Sequence, residues 1–463
     1  MRVLLLVPNS HNDIRDGLGY VTPPLGLSYI ASYIRKFGNH SVRIFDGLLH
    51  KSSNADVRRE LELFHPDVVG ISGQATPSIY DVYHTARIVK QFDSSILVAV
   101  GGVHVTFQDV DVLQECSAID VVIRGEGEIT MNELLTAYKN RRDFANVLGI
   151  TYRKNNTTTK TQDRPIIEDL DSLPYPAYDI LNLPQYFKPN IRFTTMVTSR
   201  GCPYSCTFCS SSRITGKRWR GRSPENVICE VKLLEDKYGV REIEFIDDLF
   251  TFDHERVRAI CKGFREAGLK IGWSCSTRAN ILSRHPEMAE WLHSAGCHTL
   301  YMGVESGSQR VLNAMKKGIT IEQVNHAVEV AKKAGLELVL SFMVGYPTET
   351  ELEANETIDL ACRLDPEIAQ FTVCTPYPGT PLYDQAKQEH WIQVRSWEDF
   401  SVLGAVMSFP GMTVETIKHL LHKAYLKFYF RPSYILKQIK SVNTDYVRLI
   451  FRLMKQHIRQ LEL

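Results

Sequence analysis

Short apolar runs alternate with helical patterns twice along this chain, and this alternation constrains the fold more than any other feature. Strands that alternate with helices pair in parallel, because each helix returns the chain to the same edge of the sheet. The first 140 residues therefore predict a doubly wound parallel sheet of the α/β class. Its strands are expected at residues 3–7, 42–45, 68–72, 96–101 and 121–124, with helices at 24–37 and 78–92.

Residues 195–385 repeat the alternation with six further strands and with helical patterns between them. Six such units predict a partial (β/α)6 barrel, and parallel barrels carry their chemistry at the carboxyl ends of the strands. The strands are expected at residues 195–198, 242–246, 271–274, 299–303, 339–344 and 368–372.

Two other segments complete the predicted organisation into domains 1–140, 141–194, 195–385 and 386–463. Residues 141–194 are interpreted as a connector with a strand or hairpin near residue 150, and its proline-rich stretch at 173–178 is expected to be extended. Residues 386–463 are predicted to be a mainly helical C-terminal region.

The overall charge argues against a nucleic-acid partner, and the apolar pattern argues against a membrane-spanning helix. The net charge is +1, from 54 Lys and Arg against 53 Asp and Glu, so no nucleic-acid partner is expected. No stretch approaches the roughly 18 apolar residues of a membrane span. The first apolar run is too short for a signal peptide. We therefore expect a cytoplasmic protein.

Three of the ten cysteines lie within eight residues, in the segment Cys202-Pro-Tyr-Ser-Cys206-Thr-Phe-Cys209. One tight cluster in a long chain indicates metal ligation rather than disulfide bonding. Three thiolates on one loop can bind three irons of a [4Fe–4S] cubane. The fourth iron is then open, and an open metal position is where a substrate or cofactor binds. S-adenosylmethionine (SAM) suits it through its amino and carboxylate groups.

A zinc site with three cysteines and a distant fourth ligand is the alternative. Zinc ligands commonly come as a Cys-x2-Cys pair with a later pair of Cys or His. No second pair of this kind appears in the sequence. The spacing therefore favours the iron–sulfur cluster.

The cysteine loop, with the aromatic Phe208 directly before its last cysteine, resembles the signature of the radical SAM superfamily. The wider sequence, over about residues 1–435, resembles the class with an N-terminal cobalamin-binding domain. The resemblance implies that Cys202, Cys206 and Cys209 hold a [4Fe–4S] cluster next to Phe208. It also implies SAM and cobalamin as cofactors and an electron donor of the flavodoxin or ferredoxin type.

The same resemblance places the SAM contacts at the ends of four barrel strands. They are Asp247 and Asp248 for the amino group, Arg278 for the carboxylate, Glu305 and Ser306 for the ribose, and Val344 and Gly345 for the adenine. Each has an ordinary alternative. An aspartate before a helix commonly caps it, and an arginine can form a surface ion pair. A buried glutamate needs a partner in any case, and a strand-to-helix turn needs no ligand.

Three glycine-containing turns at predicted strand ends resemble the cobalamin edge of this class. Glycine allows a large flat cofactor to approach the backbone closely. The residues expected to contact cobalamin are Ser72, Gly73, Thr76, Gly101, Gly102, His104, Gly125, Glu126 and Gly127.

One departure concerns the lower ligand of the cobalt. Some cobalamin proteins supply a histidine from an Asp-x-His-x-x-Gly pattern, which the loop after Val7 lacks. We expect cobalt with no histidine beneath it; His11 and His104 stay open as alternatives, and so does a domain that has lost cobalamin. A dinucleotide site is disfavoured, because no Gly-x-Gly-x-x-Gly opens a helix after the first strand.

The C-terminal region is strongly basic. Between Lys418 and Arg459 it has ten Lys or Arg residues and a single acid, Asp445. Three interpretations stay open: a helical cap on the barrel with a solvated basic face, peripheral contact with an anionic membrane surface, or a site for an acidic protein or another anionic substrate.

The resemblance implies a methyltransferase that acts on a poorly activated carbon. One SAM would methylate cob(I)alamin, a second would give a 5′-deoxyadenosyl radical that abstracts a substrate hydrogen, and methylcobalamin would deliver the methyl group. Two alternatives stay open: cyclisation, rearrangement or oxidation on the same fold, and a non-catalytic cobalamin or iron–sulfur sensor. The substrate is left open among a peptide, a natural-product intermediate, a lipid and a tetrapyrrole.

Overall fold

The computed structural model describes residues 1–10, 21–73, 75–154, 157–188 and 191–441. The chain divides into two compact units at about residue 190. The candidate ligand His11 and the last part of the basic C-terminal segment, from residue 442 onward, lie outside the described residues. None of the helices in these ranges combines the length and the apolar character that crossing a membrane requires.

The first unit contains a seven-stranded sheet in the order β2-β1-β3-β4-β5-β6-β7. Its strands are β1 (Arg2–Val7), β2 (Ser41–Asp46), β3 (Val68–Ser72), β4 (Leu97–Gly101), β5 (Val121–Ile123), β6 (Ile150–Lys154) and β7 (Thr157–Lys160). The pairings among β1 to β5 are parallel, and β6 and β7 extend the sheet as antiparallel strands. The predicted parallel sheet is confirmed, and the strands expected near residue 150 belong to it.

The helices of the first unit cover the sheet. They are α1 (Leu25–Gly38), α2 (Gly47–His50), α3 (Asn54–Phe64), α4 (Ile79–Phe92), α5 (Val103–Phe107), α6 (Asp109–Glu115) and α7 (Gly127–Lys139). In α1, the buried residues Leu27, Ala31 and Ile34 follow the helical period and join the core. Strand β1 is buried from residue 3 to residue 7, which is why it is a continuous apolar run in the sequence.

The second unit contains a six-stranded parallel sheet in the order β15-β14-β13-β12-β11-β8. Its strands are β8 (Phe193–Met196), β11 (Glu242–Phe245), β12 (Gly272–Thr277), β13 (Cys297–Glu305), β14 (Glu337–Val344) and β15 (Ile368–Val373). Two short strands, β9 (Ser199–Arg200) and β10 (Arg220–Gly221), pair separately and antiparallel. The strand order matches the chain order, as expected of a partial (β/α)6 barrel.

Eleven helices of the second unit lie within the described residues. They are α8 (Ser211–Ile214), α9 (Pro224–Tyr238), α10 (His254–Glu266), α11 (Ala279–Arg284), α12 (Glu287–Ser294), α13 (Gln309–Ala314), α14 (Ile321–Lys333), α15 (Glu351–Leu364), α16 (Pro381–Gln388), α17 (Val414–Tyr429) and α18 (Pro432–Ser441). Capping boxes begin α14 and α15 at Thr320 and Thr350, satisfying backbone N–H groups of the first turn.

Alternate residues of each barrel strand point to opposite faces of the sheet. The rings of Phe245 and Trp273 lie 5.3 Å apart and pack on Phe264 of α10, so these positions face the helices. The intervening residues, among them Ile246 and Ser276, therefore occupy the inner face. That face and the carboxyl ends of the strands frame the site described below.

Three tyrosines of the C-terminal helices cover the free edge of β15. The hydroxyls of Tyr425, Tyr429 and Tyr434 donate hydrogen bonds to the carbonyls of Phe371, Ala369 and Glu367, each at 2.9 Å. These carbonyls belong to alternate residues of one strand or lie just before it. We call this set of bonds the tyrosine ladder.

Ion pairs hold the same helices to the barrel. Lys427 pairs with Asp359 of α15, and Lys437 lies 2.8 Å from Glu367. The contacts place α17 and α18 as a helical cap on the barrel, which agrees with the first interpretation of the basic region.

Removing one hydroxyl of the ladder is expected to destabilise the second unit. Tyr429→Phe leaves the buried Ala369 carbonyl without its donor, which costs about 1–3 kcal/mol. Calorimetry of the intact protein should show a lower melting temperature for the second unit. Tyr80→Phe is the control, since Tyr80 is partly exposed and its hydroxyl makes no hydrogen bond with another described residue; equal melting temperatures for the two variants would contradict the role of the ladder.

Candidate active site

The three clustered cysteines lie on the loop that leaves the first barrel strand. Strand β8 ends at Met196, β9 pairs with β10, and the loop with Cys202, Cys206 and Cys209 follows at once. Cys206 is buried, and the other two are partly buried. Burial raises the pKa of Cys202 and Cys209 above that of an ordinary thiol. Metal binding at this loop must therefore displace protons that the thiols hold firmly.

Asp248 braces this loop at both ends. Its carboxylate accepts a hydrogen bond from the backbone N–H of Gly201 at 3.2 Å and another from the hydroxyl of Ser211 at 2.9 Å. Gly201 precedes the first cysteine and Ser211 follows the last one. The thiol of Cys209 in turn lies 3.5 Å from the Ser211 hydroxyl. One carboxylate thus fixes the entry and the exit of the cysteine loop.

Asp247 ties the end of β11 to the start of the same loop. It accepts hydrogen bonds from the backbone N–H and the hydroxyl of Thr198, at 2.7 and 2.6 Å, and from the hydroxyl of Ser199 at 2.6 Å. Burial raises the pKa of Asp247, whereas the bonds from Ser199 and Thr198 act in the opposite direction. Asp247 is also buried, whereas Asp248 is exposed, so Asp248 is the more accessible of the two carboxylates for a ligand.

Arg278 packs directly against the cysteine loop. One guanidinium nitrogen lies 3.9 Å from the sulfur of Cys206, and the guanidinium carbon lies 3.6 Å from the ring centre of Tyr204. A second nitrogen donates to the backbone carbonyl of Lys317. Arg278 is buried, so the surface ion pair considered as its alternative is not formed.

A buried ion pair lies beside this arginine and was not predicted from the sequence. Lys317 Nζ lies 2.6 Å from Glu305 Oε1, and both residues are buried. The same amine lies 5.9 Å from the ring centre of Phe208. A Cβ at Gly303 would lie 2.2 Å from Glu305 Oε1 and 2.8 Å from Lys317 Nζ, so a side chain there would have to displace the pair. No pattern marks Lys317 in the sequence, because it lies in the turn after α13 and its partner Glu305, 12 positions earlier, ends β13.

Ser306 faces away from solvent. It is fully buried, its hydroxyl accepts from the N–H of Ser308 at 3.1 Å, and it lies 3.3 Å from the hydroxyl of Thr357. In the predicted ribose motif, Glu305 is therefore the residue with the better access to a ligand.

The turn after β14 contacts the cysteine loop through Tyr346. Its hydroxyl lies 2.9 Å from the hydroxyl of Thr207 and 3.0 Å from the carbonyl of Ala314. The N–H of Gly345, next to Val344, donates to Glu349 at 2.7 Å. Burial raises the pKa of Glu349 to about 8. The predicted adenine turn is thus joined to the predicted cluster loop.

Polar residues on the inner face of the sheet were not predicted as site residues. Ser276, Tyr301, Ser341 and Gln370 lie on four successive strands and are partly or fully exposed. Ser341 lies 3.4 Å from Gln370 through their side-chain oxygens. The signal available in the sequence is a polar residue at alternate positions of otherwise apolar strands. These side chains line the approach to the carboxyl ends of the strands.

In the first unit, the three predicted glycine turns follow adjacent strands at one edge of the sheet. The N–H of Gly73 donates to the carbonyl of Gly101 at 2.7 Å, and Ser72 pairs with Gly101 in register. Thr106 donates to the carbonyl of Gly102 at 2.7 Å and accepts from the N–H of Gly125 at 3.1 Å. Gly102 has a φ of 134°, which side chains with a Cβ rarely allow.

His104 lies inside this edge. Its Nδ1 is 3.1 Å from the hydroxyl of Thr76, and the residue is buried. Burial lowers the pKa of His104 to about 4, so its ring is neutral near pH 7. The structure therefore brings together two of the residues predicted to contact cobalamin.

The third glycine turn, at residues 125–127, is bonded to the segment predicted as a connector, residues 141–194. Glu126 accepts from the N–H of Ile167 at 2.7 Å, and Gly127 packs against Ile30, whose Cδ1 would lie 2.9 Å from an added Cβ. Glu126 thus has a structural partner, and the backbone of the turn remains the part suited to a ligand.

Comparison with known proteins decides the family. Residues 196–361 match the model of the radical SAM superfamily, and residues 12–135 match that of the B12 binding domain. An uncharacterized methyltransferase of Pyrococcus horikoshii is 41% identical over 439 residues, covering 95% of this chain and 95% of that protein. The chain belongs to the radical SAM superfamily. Its B12 binding domain places it in the cobalamin-dependent class.

Two other proteins are similar to this chain, one in sequence and one in structure. The anaerobic magnesium-protoporphyrin IX monomethyl ester cyclase of Rubrivivax gelatinosus is 29% identical over 441 residues, covering 94% of this chain and 78% of that protein. The solved structure of the cobalamin-dependent radical enzyme OxsB superposes with a TM-score of 0.79 at 18% identity, covering 97% of this chain and 72% of that chain. The latter confirms the fold of this radical SAM enzyme.

The family confirms a [4Fe–4S] cluster, SAM and cobalamin as cofactors, and the residues present fit them. Three thiols on one loop suit three irons of a cubane. At the sheet edge of the first unit, a Cβ added at Gly125 would meet no atom within 4 Å, so that turn is open to a ligand. Within the described ranges, no three His, Cys, Asp or Glu side chains converge on a position for a single metal ion.

Because the pKa of the buried Glu349 is raised, we expect the free energy of unfolding of this radical SAM enzyme to depend on pH. Its pKa is about 8 in the folded protein and 4.5 for an ordinary glutamate, so the folded state keeps a proton that the unfolded state loses. This contribution is complete below about pH 4.5 and is lost as the pH rises towards 8, at up to about 1.4 kcal/mol per pH unit. Glu349→Gln should flatten the decline in melting temperature between pH 5 and pH 8. Glu351→Gln, at an exposed site, should decline like the wild type, and a parallel decline for all three proteins would refute the prediction.

If the hydrogen bonds from the cysteine loop to Asp248 are weakened, we expect the cluster to become labile. Asp248→Asn keeps the size of the side chain but removes one of the two acceptors for Gly201 and Ser211. Loss of a partner outside the ligand set typically costs 10–100-fold in metal affinity. Iron release to a chelator should be roughly tenfold faster than in the wild type, followed by absorbance under anaerobic conditions. Asp236→Asn, at an exposed position of α9, is the control, and equal release rates would show that Asp248 has no such role.

Proposed function

We propose that this enzyme is a cobalamin-dependent methyltransferase that transfers a methyl group to a poorly activated carbon. The observation that supports it best is one chain that joins a three-thiol loop at the end of the first barrel strand to an open glycine edge. The 41% identical relative over 95% of the chain is named as a methyltransferase. When bound, the cofactors supply one-electron cleavage of SAM and delivery of the methyl group.

The protein groups hold and orient these cofactors. Cys202, Cys206 and Cys209 would bind three irons and leave the fourth open. Arg278 places a cation next to Cys206 and therefore stabilises negative charge on that sulfur. Asp248 keeps the loop in place, and burial of the site limits access of water.

The SAM contacts that we propose lie at the ends of adjacent barrel strands. Asp248 would face the amino group and Arg278 the carboxylate, because both already line the cysteine loop. Glu305 would face the ribose, held in place by Lys317. Val344 and Gly345 would approach the adenine from the turn that Tyr346 joins to the loop. Asp247 and Ser306 would support these residues from behind.

Cobalamin would lie against the turns after β3, β4 and β5 in the first unit. The backbone of Gly73, Gly102 and Gly125 allows close approach, and the buried pair of Thr76 and His104 would shape the floor beneath it. The neutral ring of His104 is compatible with a contact to the cofactor without adding charge.

The substrate and the reductant are proposed from chemistry alone. A substrate that reaches the barrel would meet the hydroxyl and amide groups of Ser276, Tyr301, Ser341 and Gln370, which suit a molecule with several hydrogen-bonding groups. Radical SAM enzymes need an external one-electron donor, and we propose a cytoplasmic flavodoxin- or ferredoxin-like protein.

Cyclisation without methyl transfer is the second candidate. The 29% identical relative from Rubrivivax gelatinosus is named as a cyclase, and its similarity extends over 94% of this chain. The two candidates differ in whether S-adenosylhomocysteine forms, since only methyl transfer leaves that product.

The deciding experiment measures both SAM products with a matched cysteine control. The protein is reconstituted anaerobically with iron, sulfide and cobalamin and incubated with SAM and a strong reductant. We expect 5′-deoxyadenosine and S-adenosylhomocysteine from the wild type and from Cys229→Ala, whose cysteine is exposed and outside the loop. Cys206→Ala should form no deoxyadenosine, because one iron loses its protein ligand.

The outcomes separate the candidates. Deoxyadenosine without S-adenosylhomocysteine would favour cyclisation or another radical reaction. Deoxyadenosine from Cys206→Ala at the wild-type rate would refute the role of the cysteine loop.

A further inference from the structure

The turn between α17 and α18 exposes four large apolar side chains close together in the sequence. Leu426, Phe430, Ile435 and Leu436 have exposed fractions of 42%, 52%, 42% and 57%. We call these four residues the apolar knuckle. Single exposed apolar residues are common, but a group of four large ones marks a surface that meets something apolar.

The knuckle is separate from the face that holds the helices on the barrel. Tyr425, Phe428 and Tyr429 point to the opposite side of α17 and are buried, two of them as rungs of the tyrosine ladder. The barrel therefore determines the position of these helices without any contribution from the knuckle. Its four side chains are held outward on a rigid support.

Positive charge without a counterion flanks the knuckle. Lys423 forms no ion pair with any residue of the described part, whereas Lys427, Arg431 and Lys437 pair with acids of the barrel. Lys423 is exposed one helical turn before Leu426. The surface thus combines an apolar centre with a cationic flank.

The charge argues against two other occupants. A second copy of this chain would bring the same cation against Lys423. The chain's own residues 442–463 include four further Lys or Arg residues and two acids, Asp445 and Glu462, so they are basic too. Neither occupant complements the cationic flank, whereas an anionic partner with an apolar interior complements both parts.

We propose that the apolar knuckle docks on the surface of an anionic phospholipid bilayer. Leu426, Phe430, Ile435 and Leu436 would enter the boundary between headgroups and acyl chains, and Lys423 would contact the phosphates. This attachment would be peripheral and reversible, and it would hold the barrel close to the membrane. The inference does not depend on methyl transfer, because SAM cleavage and vesicle binding are measured separately.

The test is co-sedimentation of the intact, cofactor-loaded protein with lipid vesicles. Vesicles of phosphatidylcholine with 30% phosphatidylglycerol, about a third anionic as suits electrostatic recruitment, are compared with pure phosphatidylcholine. We expect binding to the anionic vesicles that weakens with salt. Lys423→Gln should weaken it about fivefold at low salt. Leu426→Ser with Phe430→Ser should weaken binding at least tenfold.

Leu352→Ser is the matched control, because Leu352 is 78% exposed on α15, outside the knuckle. It should bind vesicles like the wild type. All the changed residues are at the surface, so the variants should fold. Measured iron and cobalamin contents of each variant check this.

Several results would overturn the proposal. They are equal binding to the two vesicle types, no binding to either, and anionic binding that the Leu426 and Phe430 changes leave unchanged. A concentration-dependent dimer that these changes abolish, without vesicle binding, would assign the knuckle to a second copy. Capture of an acidic protein without vesicle binding would assign it to a protein partner.

Discussion

Two neighbouring carboxylates at the end of β11 determine whether the three thiols can act together. Asp247 joins the strand end to Thr198 and Ser199, and Asp248 joins it to both ends of the cysteine loop. A loop with three thiols loses much conformational entropy when it is ordered. Here the hydrogen bonds to Asp247 and Asp248 offset that entropy loss, because the core already fixes the strand end that carries both residues. Arg278, Tyr346 and the Glu305–Lys317 pair then pack against a loop whose course is already set.

The fold followed from the sequence more completely than the site did. Short apolar runs and helical patterns are local, so they predicted the parallel sheets and the six barrel strands within a few residues of their observed ends. The spacing of the three cysteines is local too. The hydrogen bonds that fix the cysteine loop are not local. Asp247 and Thr198 are 49 positions apart in the sequence, and Asp248 and Gly201 are 47 apart. The polar inner face escaped prediction for the same reason, since it depends on which strands become neighbours. Lys317 escaped prediction because nothing local marks it as the partner of Glu305, 12 positions earlier.

The first unit shows how a segment that looks like a connector can belong to a sheet. Residues predicted as the start of a linker form β6 and β7, and Glu126 in a glycine turn accepts from Ile167 farther along. Arg124, buried just before that turn, lies 2.7 Å from Asp163. A charged residue in such a position requires a partner from elsewhere in the chain. The turn is thereby held from below while its glycine backbone stays open on the other side.

The tyrosine ladder works because two different repeats almost coincide. Four residues of α17 advance about 6.0 Å along the helix axis, and two residues of β15 advance about 6.6 Å along the strand. Tyr425 and Tyr429 therefore meet Phe371 and Ala369, but the mismatch grows with every step. The third tyrosine is five positions further on, in α18, after the helix has broken at Pro432. The break between the two helices realigns the third tyrosine with the strand, so a one-residue insertion in α17 would misplace the later hydrogen bonds of the ladder.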